Sequence, residues 1–91
     1  MEGDNVLYNR LVAAPNPAKG STGLTYTFAN PDAQERSIEI YTLMGVLLDT
    51  HHPENNEGLW TLNLPRYPAG QYIAVMRENG SAVAQQAIIV E

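Results

Sequence analysis

The alternation of apolar and polar residues with a period of two constrains the fold of this chain more than any other feature. Apolar residues alternate with threonine in residues 24–28, isoleucines alternate with Ser and Glu in residues 37–40, and residues 60–64 alternate in the same way. Because successive side chains of a strand point to opposite faces of a sheet, each run predicts a β-strand with one buried face. With four further apolar runs, the sequence predicts seven strands, at residues 7–14, 24–28, 37–42, 46–50, 60–64, 72–77 and 83–90.

Turn-forming residues separate these runs and leave no room for a sustained helical pattern. Clusters of Gly, Pro, Asn and Asp occur between the runs, at residues 15–17, 30–32, 44–45, 53–56 and 79–80. The pair Asn79-Gly80 predicts a two-residue hairpin turn, since a type I′ turn needs positive φ at both central positions. Seven short strands in about a hundred residues are typical of one architecture. The sequence therefore predicts an all-β fold, a seven-stranded immunoglobulin-like β-sandwich.

Length and composition are those of one small globular domain. The chain has 91 residues, 44% of them hydrophobic, and no cysteine, so disulfides and thiolate metal sites are excluded. A formal net charge of -5 disfavours nucleic acid and anionic membrane surfaces as partners. No apolar run reaches the ~20 residues of a membrane-spanning helix, so no transmembrane segment is predicted. We interpret residues 1–5 as a linker remnant or a start added for expression, and residues 6–91 as the folded domain.

Two aromatic residues have predicted structural roles. Trp60 lies on an alternating strand and is predicted to be the central aromatic residue of the core, because burial of an indole removes a large apolar area from water. The alternative is a solvent-facing Trp60 that stacks on a sugar. Tyr72 follows the turn Pro68-Ala69-Gly70 and is predicted to form a tyrosine corner, in which the hydroxyl bonds back to the preceding backbone.

No arrangement of reactive residues indicates catalysis, and no cofactor is predicted. His51 and His52 are adjacent, so on a strand they would point to opposite faces, and the polar loop beside them predicts that both are exposed to solvent. A nucleophile needs a base within reach and a third group that orients the base, and the sequence indicates no such set. Loop carboxylates offer a weak calcium site as an alternative to plain solvation, at Asp32, Glu35, Glu54 and Glu57.

Three short motifs occur in an order and spacing that match a known family. Residues 11–18 hold a strand followed by Pro-Asn-Pro-Ala, residues 38–48 read Ile-Glu-Ile-Tyr-Thr-Leu-Met-Gly-Val-Leu-Leu, and Pro-Ala-Gly-Gln-Tyr occupies residues 68–72. A final apolar hairpin follows and extends to Glu91. From about Val6 to Glu91, the chain resembles the C-terminal sorting domain of the type IX secretion system, found on proteins that Bacteroidetes export to the cell surface.

The resemblance implies a non-catalytic address label. Such domains are recognised by the type IX translocon or its shuttle proteins, cross the outer membrane with a passenger, and in many cases are removed by a surface sortase. It therefore implies an exported protein that passes through the periplasm to the cell surface or outer membrane. The residues expected to be read by the machinery are Pro68, Gly70, Tyr72, Ile88, Ile89, Val90 and Glu91.

Three departures from the family pattern lead to a more specific hypothesis. The final strand contains no Lys, the last residue is the acidic Glu91, and Arg66-Tyr67 is inserted before the Gly-x-Tyr motif. These differences favour a member that keeps its domain, on a component of the secretion machinery. The edge of the last strand, residues 83–90, is a candidate for strand addition by a partner or for self-association; the alternative is that this strand is paired within the sandwich. A generic immunoglobulin-like adhesion or carbohydrate-binding module of a surface protein is the alternative function.

Overall fold

The computed structural model describes residues 8–91, which fold into seven β-strands and one short 3₁₀ helix. The segment interpreted as a remnant, residues 1–5, and the first residue of the first predicted strand lie outside the described residues. The strands are β1 (Arg10–Ala14), β2 (Ser21–Thr27), β3 (Arg36–Thr42), β4 (Leu47–His51), β5 (Glu57–Asn63), β6 (Gly70–Glu78) and β7 (Ser81–Val90), and the 3₁₀ helix is Leu64–Arg66.

The strands form two antiparallel sheets. The three-stranded sheet has the order β1-β2-β5, and the four-stranded sheet has the order β4-β3-β6-β7. Each sheet turns one face of its alternating residues towards the other, as period-two patterning requires. The all-β fold with seven strands in a sandwich is confirmed, and its immunoglobulin-like detail stays a prediction.

The core lies between the two sheets and is built from the alternating residues. From β2 come Leu24 and Tyr26, followed by Phe28, and from β3 come Ile38 and Ile40; all five side chains are buried. Burial of each such side chain contributes about 1.5–3 kcal/mol. Phe28 is the largest fully buried side chain. The prediction that the central aromatic residue is Trp60 is wrong: Trp60 is half-buried and packs against the periphery of the core, because β5 is the outer strand of its sheet.

The β6–β7 hairpin has the predicted turn. Asn79 and Gly80 both have positive φ, at 51° and 87°, which confirms the Asn-Gly signal. A register shift follows the turn, because Met76 faces Ala84 while Arg77 faces Ala82, so Val83 is an extra residue on β7. The hairpin therefore joins two long strands through a regular turn and one bulge.

Candidate functional site

The register of the four-stranded sheet brings the family motifs to one end of the sandwich. Thr42 at the end of β3 faces Tyr72 on β6, and Tyr72 faces Ile88 on β7. Gly70 faces Val90, and Val90 also forms a parallel bridge with Ala18. We call this region the motif end; it comprises residues 15–18, 43–46, 64–72 and 88–91.

The Pro-Asn-Pro-Ala segment, residues 15–18, lies along the outer edge of β7, and we call it the strap. The Asn16 side chain pairs with β7 as a backbone would: its Nδ2 donates to the carbonyl oxygen of Ala87 at 2.8 Å, and its Oδ1 accepts from the amide of Ile89 at 2.9 Å. The backbone of Ala18 continues the pairing, since its amide donates to the Ile89 oxygen and its oxygen accepts from the Glu91 amide. The last residues of β7 are thus paired on both sides.

The strap also contacts the three-stranded sheet. Thr22 on β2 is buried, and its hydroxyl donates to the carbonyl oxygen of Pro15 at 2.7 Å. Ala18, at the other end of the strap, is fully buried. The peptide bonds before Pro15 and Pro17 are both cis. The strap therefore ties the two sheets together at the motif end.

The predicted tyrosine corner is present at the start of β6. The Tyr72 hydroxyl donates to the carbonyl oxygen of Pro68, and its ring is buried. Tyr67 packs edge-on against Tyr72, with ring centroids 5.3 Å apart, and donates its hydroxyl to the Asp49 carboxylate at 3.3 Å. The inserted Arg66-Tyr67 pair consequently adds a second buried aromatic ring to this corner.

The structure brings all seven predicted recognition residues together at the motif end. Three of them, Tyr72, Ile88 and Val90, have buried side chains and support the sandwich. The other four lie at the surface, and they are Pro68, Gly70, Ile89 and Glu91. Only this second group has side chains or backbone that a partner could contact directly, and their role in recognition stays a prediction.

An exposed apolar patch overlaps the motif end and extends into β4, and it was not predicted as a site. It consists of the β3–β4 turn and the start of β4, and its exposed members are Leu43, Met44, Val46, Leu47 and Leu48. Met44 is the most exposed, at 90%. Contiguous exposed apolar side chains of this kind mark interaction surfaces. The sequence contains no charged residue in positions 43–48, but an uncharged apolar run is also typical of a buried strand, so it did not indicate a surface site.

The edge of β7 is less open than a free terminal strand would be. One side pairs with β6 along its length, and the strap covers the other side from Ala87 to Glu91. The bulge at Val83 interrupts the remaining stretch. Since coverings and bulges both hinder strand addition, β7 is a poor template for an incoming strand over most of its length.

The two histidines differ in environment. The His51 ring stacks on Trp60, with centroids 4.9 Å apart and planes 19° from parallel, and meets the Tyr26 ring edge-on. Burial lowers the pKa of His51, and the neighbouring His52 lowers it further, while Asp49 acts in the opposite direction. His52 is exposed. The prediction of solvent exposure is therefore correct for His52 and wrong for His51, because β4 extends to His51 and turns its ring towards the core.

One strong ion pair lies on the outer face of the four-stranded sheet. Arg77 Nε is 2.7 Å from Glu39 Oε1, and Tyr41 donates its hydroxyl to the same oxygen at 2.8 Å. The hydrogen bond from Arg77 is the main reason that the pKa of Glu39 is lowered. Among residues 8–91, no three His, Asp or Glu side chains are grouped so that they could hold a metal ion.

Comparison with known families identifies this arrangement of motifs. The family model of the secretion system C-terminal sorting domain matches residues 13–91, from β1 to the last residue. The chain belongs to this family. The sorting domain carries the C-terminal sorting signal of type IX secretion, and the motif end is formed from its matched residues. No curated protein matches the chain.

Family membership has consequences for location. A type IX sorting domain implies an exported protein destined for the cell surface or outer membrane, and it implies interaction with the type IX secretion machinery. In the part of the sorting domain that the structure describes, no helix has the length and hydropathy needed to span a membrane.

Proposed function

We propose that the motif end is the surface by which the type IX machinery recognises this domain and takes the attached passenger through the periplasm and across the outer membrane. The domain acts as a folded label and carries out no reaction of its own. The translocon or a shuttle protein is the direct partner, and it contacts exposed side chains at the motif end.

One observation supports this proposal above all. Segments far apart in the sequence meet at a single end of the sandwich, where Asn16 pairs with β7 across more than seventy residues. The uncharged exposed patch at residues 43–48 begins at the same end. Most of the acidic loop residues lie at the opposite end, near the β6–β7 turn. A partner that binds by apolar contact would meet little charge at the motif end, so desolvation there costs little.

The proposal includes retention of the domain after export. The last strand lacks Lys, and the ranges that make up the motif end contain one basic residue, Arg66, and one acidic residue, Glu91, so their formal charge is balanced rather than basic. A receptor or sortase that selects a basic terminus would discriminate against it electrostatically. Retention predicts that exported material keeps the mass of the complete fusion.

The test is export of a reporter in a host that has the type IX system. The full 91-residue chain is fused behind a signal peptide and a reporter, and surface and periplasmic reporter are measured by protease accessibility and fractionation. The variant Ile89→Ser changes an exposed side chain at the motif end, whereas Leu59→Ser is a matched control on β5. We expect Ile89→Ser combined with Met44→Ser to lower surface delivery at least about tenfold, equivalent to ~1.4 kcal/mol of recognition.

Two results would contradict the proposal. A reporter without the domain that reaches the surface as well as the fusion would refute targeting. Equal loss of delivery in the Leu59→Ser control would show that the motif end has no special role. Circular dichroism of each purified variant establishes that the sandwich is intact, and the mass of the surface reporter on a denaturing gel separates retention from removal.

A further inference from the structure

The sandwich has four sheet edges, and three of them are protected against strand addition. β1 is five residues long and is followed directly by Pro15 of the strap, and β7 is covered by the strap and interrupted by a bulge. β4 is also five residues long, and a register shift beside Tyr41 interrupts its pairing with β3. Short strands, proline, bulges and coverings are the usual means by which proteins prevent edge-to-edge association.

The fourth edge, on β5, has none of these protections. β5 runs for seven residues and pairs with β2 in a single continuous register. Proline appears only after its end, at Pro65, and its one charged residue, Glu57, is its first. In the part of the chain that the structure describes, no hydrogen bond reaches the outward main-chain groups of Leu59 or Thr61. A long regular edge of this kind is a template for another strand.

The hydrogen bonds at the two ends of the β2–β5 ladder show which groups face outward. The amide of Phe28 donates to the Asn56 oxygen, and the amide of Leu64 donates to the Gly20 oxygen. Hydrogen-bonded and non-hydrogen-bonded pairs alternate in an antiparallel ladder. Since the register between these ends is unbroken, the even-numbered residues of β5 bond to β2, and the odd-numbered ones, from Glu57 to Asn63, direct their amides and carbonyls away from it.

We infer that a second copy of this chain pairs antiparallel with the free edge of β5 and forms a continuous six-stranded sheet, β1-β2-β5-β5-β2-β1. The register of full overlap uses all four outward residues of each strand. It places Trp60 opposite Trp60 of the second copy, Leu59 opposite Thr61 and Glu57 opposite Asn63. A two-fold axis beside Trp60 makes the contact self-complementary and closed.

The charges and the exposed apolar residues of β5 favour a second copy of the chain as the partner of this edge. Antiparallel pairing of two β5 strands in full overlap places no like charges opposite each other. The same two-fold pairing of two β4 strands would place Asp49 opposite Asp49 of the second copy. Leu59 is 62% exposed and would gain Thr61 of the second copy as a cross-strand neighbour, and the two half-buried indoles would face each other as an aromatic cross-strand pair. The antiparallel arrangement directs the two motif ends in opposite directions, so self-association leaves both accessible and does not depend on the proposed recognition role.

The contact is small, which sets the concentration range of the test. Pairing of two seven-residue strands buries less than the ~1,200 Å² of stable interfaces, so we expect weak association, with a Kd on the order of 100 µM. Trp60 is the only tryptophan of the chain and lies on the axis. Its fluorescence emission maximum should therefore change with concentration, and the weight-average mass in analytical ultracentrifugation should rise from 10.0 kDa towards twice that value.

The decisive variants replace residues of β5 and β7 whose main-chain amides point away from the neighbouring strand of their own sheet. Thr61→Pro removes a donor that β2 does not use, so the sandwich should fold while the edge is blocked. Gln85→Pro makes the matching change on the outer side of β7, where Val75 faces Gln85, and should leave self-association unaltered. We expect Thr61→Pro to abolish the mass increase between about 10 µM and about 1 mM, the range set by the expected Kd.

Two outcomes would overturn the inference. One is a wild-type chain that stays monomeric up to about 1 mM, an upper limit for the Kd expected of so small an interface. The other is association that Gln85→Pro weakens as strongly as Thr61→Pro does. If Thr61→Pro fails to fold, as judged by circular dichroism, Leu59→Lys replaces it: it keeps the backbone, adds an edge charge, and should lower the association constant at least about tenfold if β5 is the contact. Reporter export is measured separately, so failure here leaves the recognition proposal standing.

Discussion

Asn16 shows how a single side chain can take the place of a strand. Its amide group makes one donated and one accepted hydrogen bond, the same pair that a backbone residue would make with β7. Pro15 and Pro17 on either side have no amide hydrogen, so the backbone of this segment has fewer donors for pairing. The side-chain amide supplies what the prolines lack, and the edge of β7 is covered as a result.

At the scale of single residues, position 58 requires glycine because the Tyr26 side chain lies close to its backbone. A Cβ added at this position would lie 2.6 Å from the Tyr26 hydroxyl and 3.0 Å from its ring carbon Cζ. Because Tyr26 is buried and cannot swing away freely, we expect Gly58→Ala to lower the free energy of unfolding by about 1–3 kcal/mol. Urea unfolding followed by Trp60 fluorescence measures the change.

The control for Gly58→Ala is a double-mutant cycle. In a Tyr26→Phe background the hydroxyl is absent, so the same substitution should cost less than half as much. An equal cost in both backgrounds would show that the hydroxyl contact is not the reason for the glycine.

At the scale of elements, the β6–β7 turn does more than connect two strands. Asn79 accepts hydrogen bonds on its Oδ1 from the amides of Gln34 and Glu35, at 2.9 and 3.0 Å, and donates its own amide to the Glu35 oxygen. The turn thereby holds the loop between β2 and β3. One residue combines the positive φ that the hairpin needs with the acceptor that the loop needs.

This double role predicts different results for two substitutions at Asn79. Asn79→Gly keeps the turn geometry but removes the acceptor, so we expect a loss of about 1–2 kcal/mol of stability. Hydrogen exchange should show reduced protection of the Gln34 and Glu35 amides, with little change in β3.

Asn79→Asp is the matched variant, because a carboxylate oxygen can still accept both bonds and aspartate also tolerates positive φ. Its stability should stay close to that of the unchanged protein. If Asn79→Gly is equally stable, the loop is held by other contacts.

For the whole molecule, the stack of His51 on Trp60 links the outer strands of the two sheets and makes stability depend on pH. Burial lowers the pKa of His51 below 6.5 in the folded state, so the folded protein favours the neutral ring. The contribution of neutral His51 is fully present above the unfolded pKa of about 6.5 and is lost as the pH falls through the lower folded value. We expect the free energy of unfolding to decrease measurably from pH 7.5 to pH 5. The variant His51→Gln should abolish this decrease.

His52→Gln is the matched control at the neighbouring position. Burial is the largest cause of the His51 shift, so most of the pH dependence should survive this substitution. Urea titrations at several pH values compare the three proteins. If the dependence of unfolding free energy on pH disappears equally in both variants, repulsion between the two histidines, rather than burial of His51, causes that dependence.

Local patterns predicted the strands, but they could not predict pairings between distant segments. The alternation in residues 24–28 correctly identified the buried face of β2. The order of the family motifs gave no indication that their segments meet at one end of the sandwich, and the role of that end in recognition stays a prediction. Asn16 gave no local sign of its partners, which are more than seventy residues away. The burial of Trp60 and His51 depends on β5 and β4 being outer strands, and strand order is not encoded in the period of either strand.

The strap also has a consequence for the order in which the domain assembles. Asn16 bonds to residues 71 and 73 positions later, so its pairing closes nearly the whole chain into one loop. Contacts of such high sequence separation form slowly, because the entropy of loop closure is lost before the contact compensates for it. A nascent chain that has not yet reached Ala87 can form hairpins but cannot complete the motif end. The motif end, whose role in recognition is our proposal, can therefore form only after synthesis has passed the final strand.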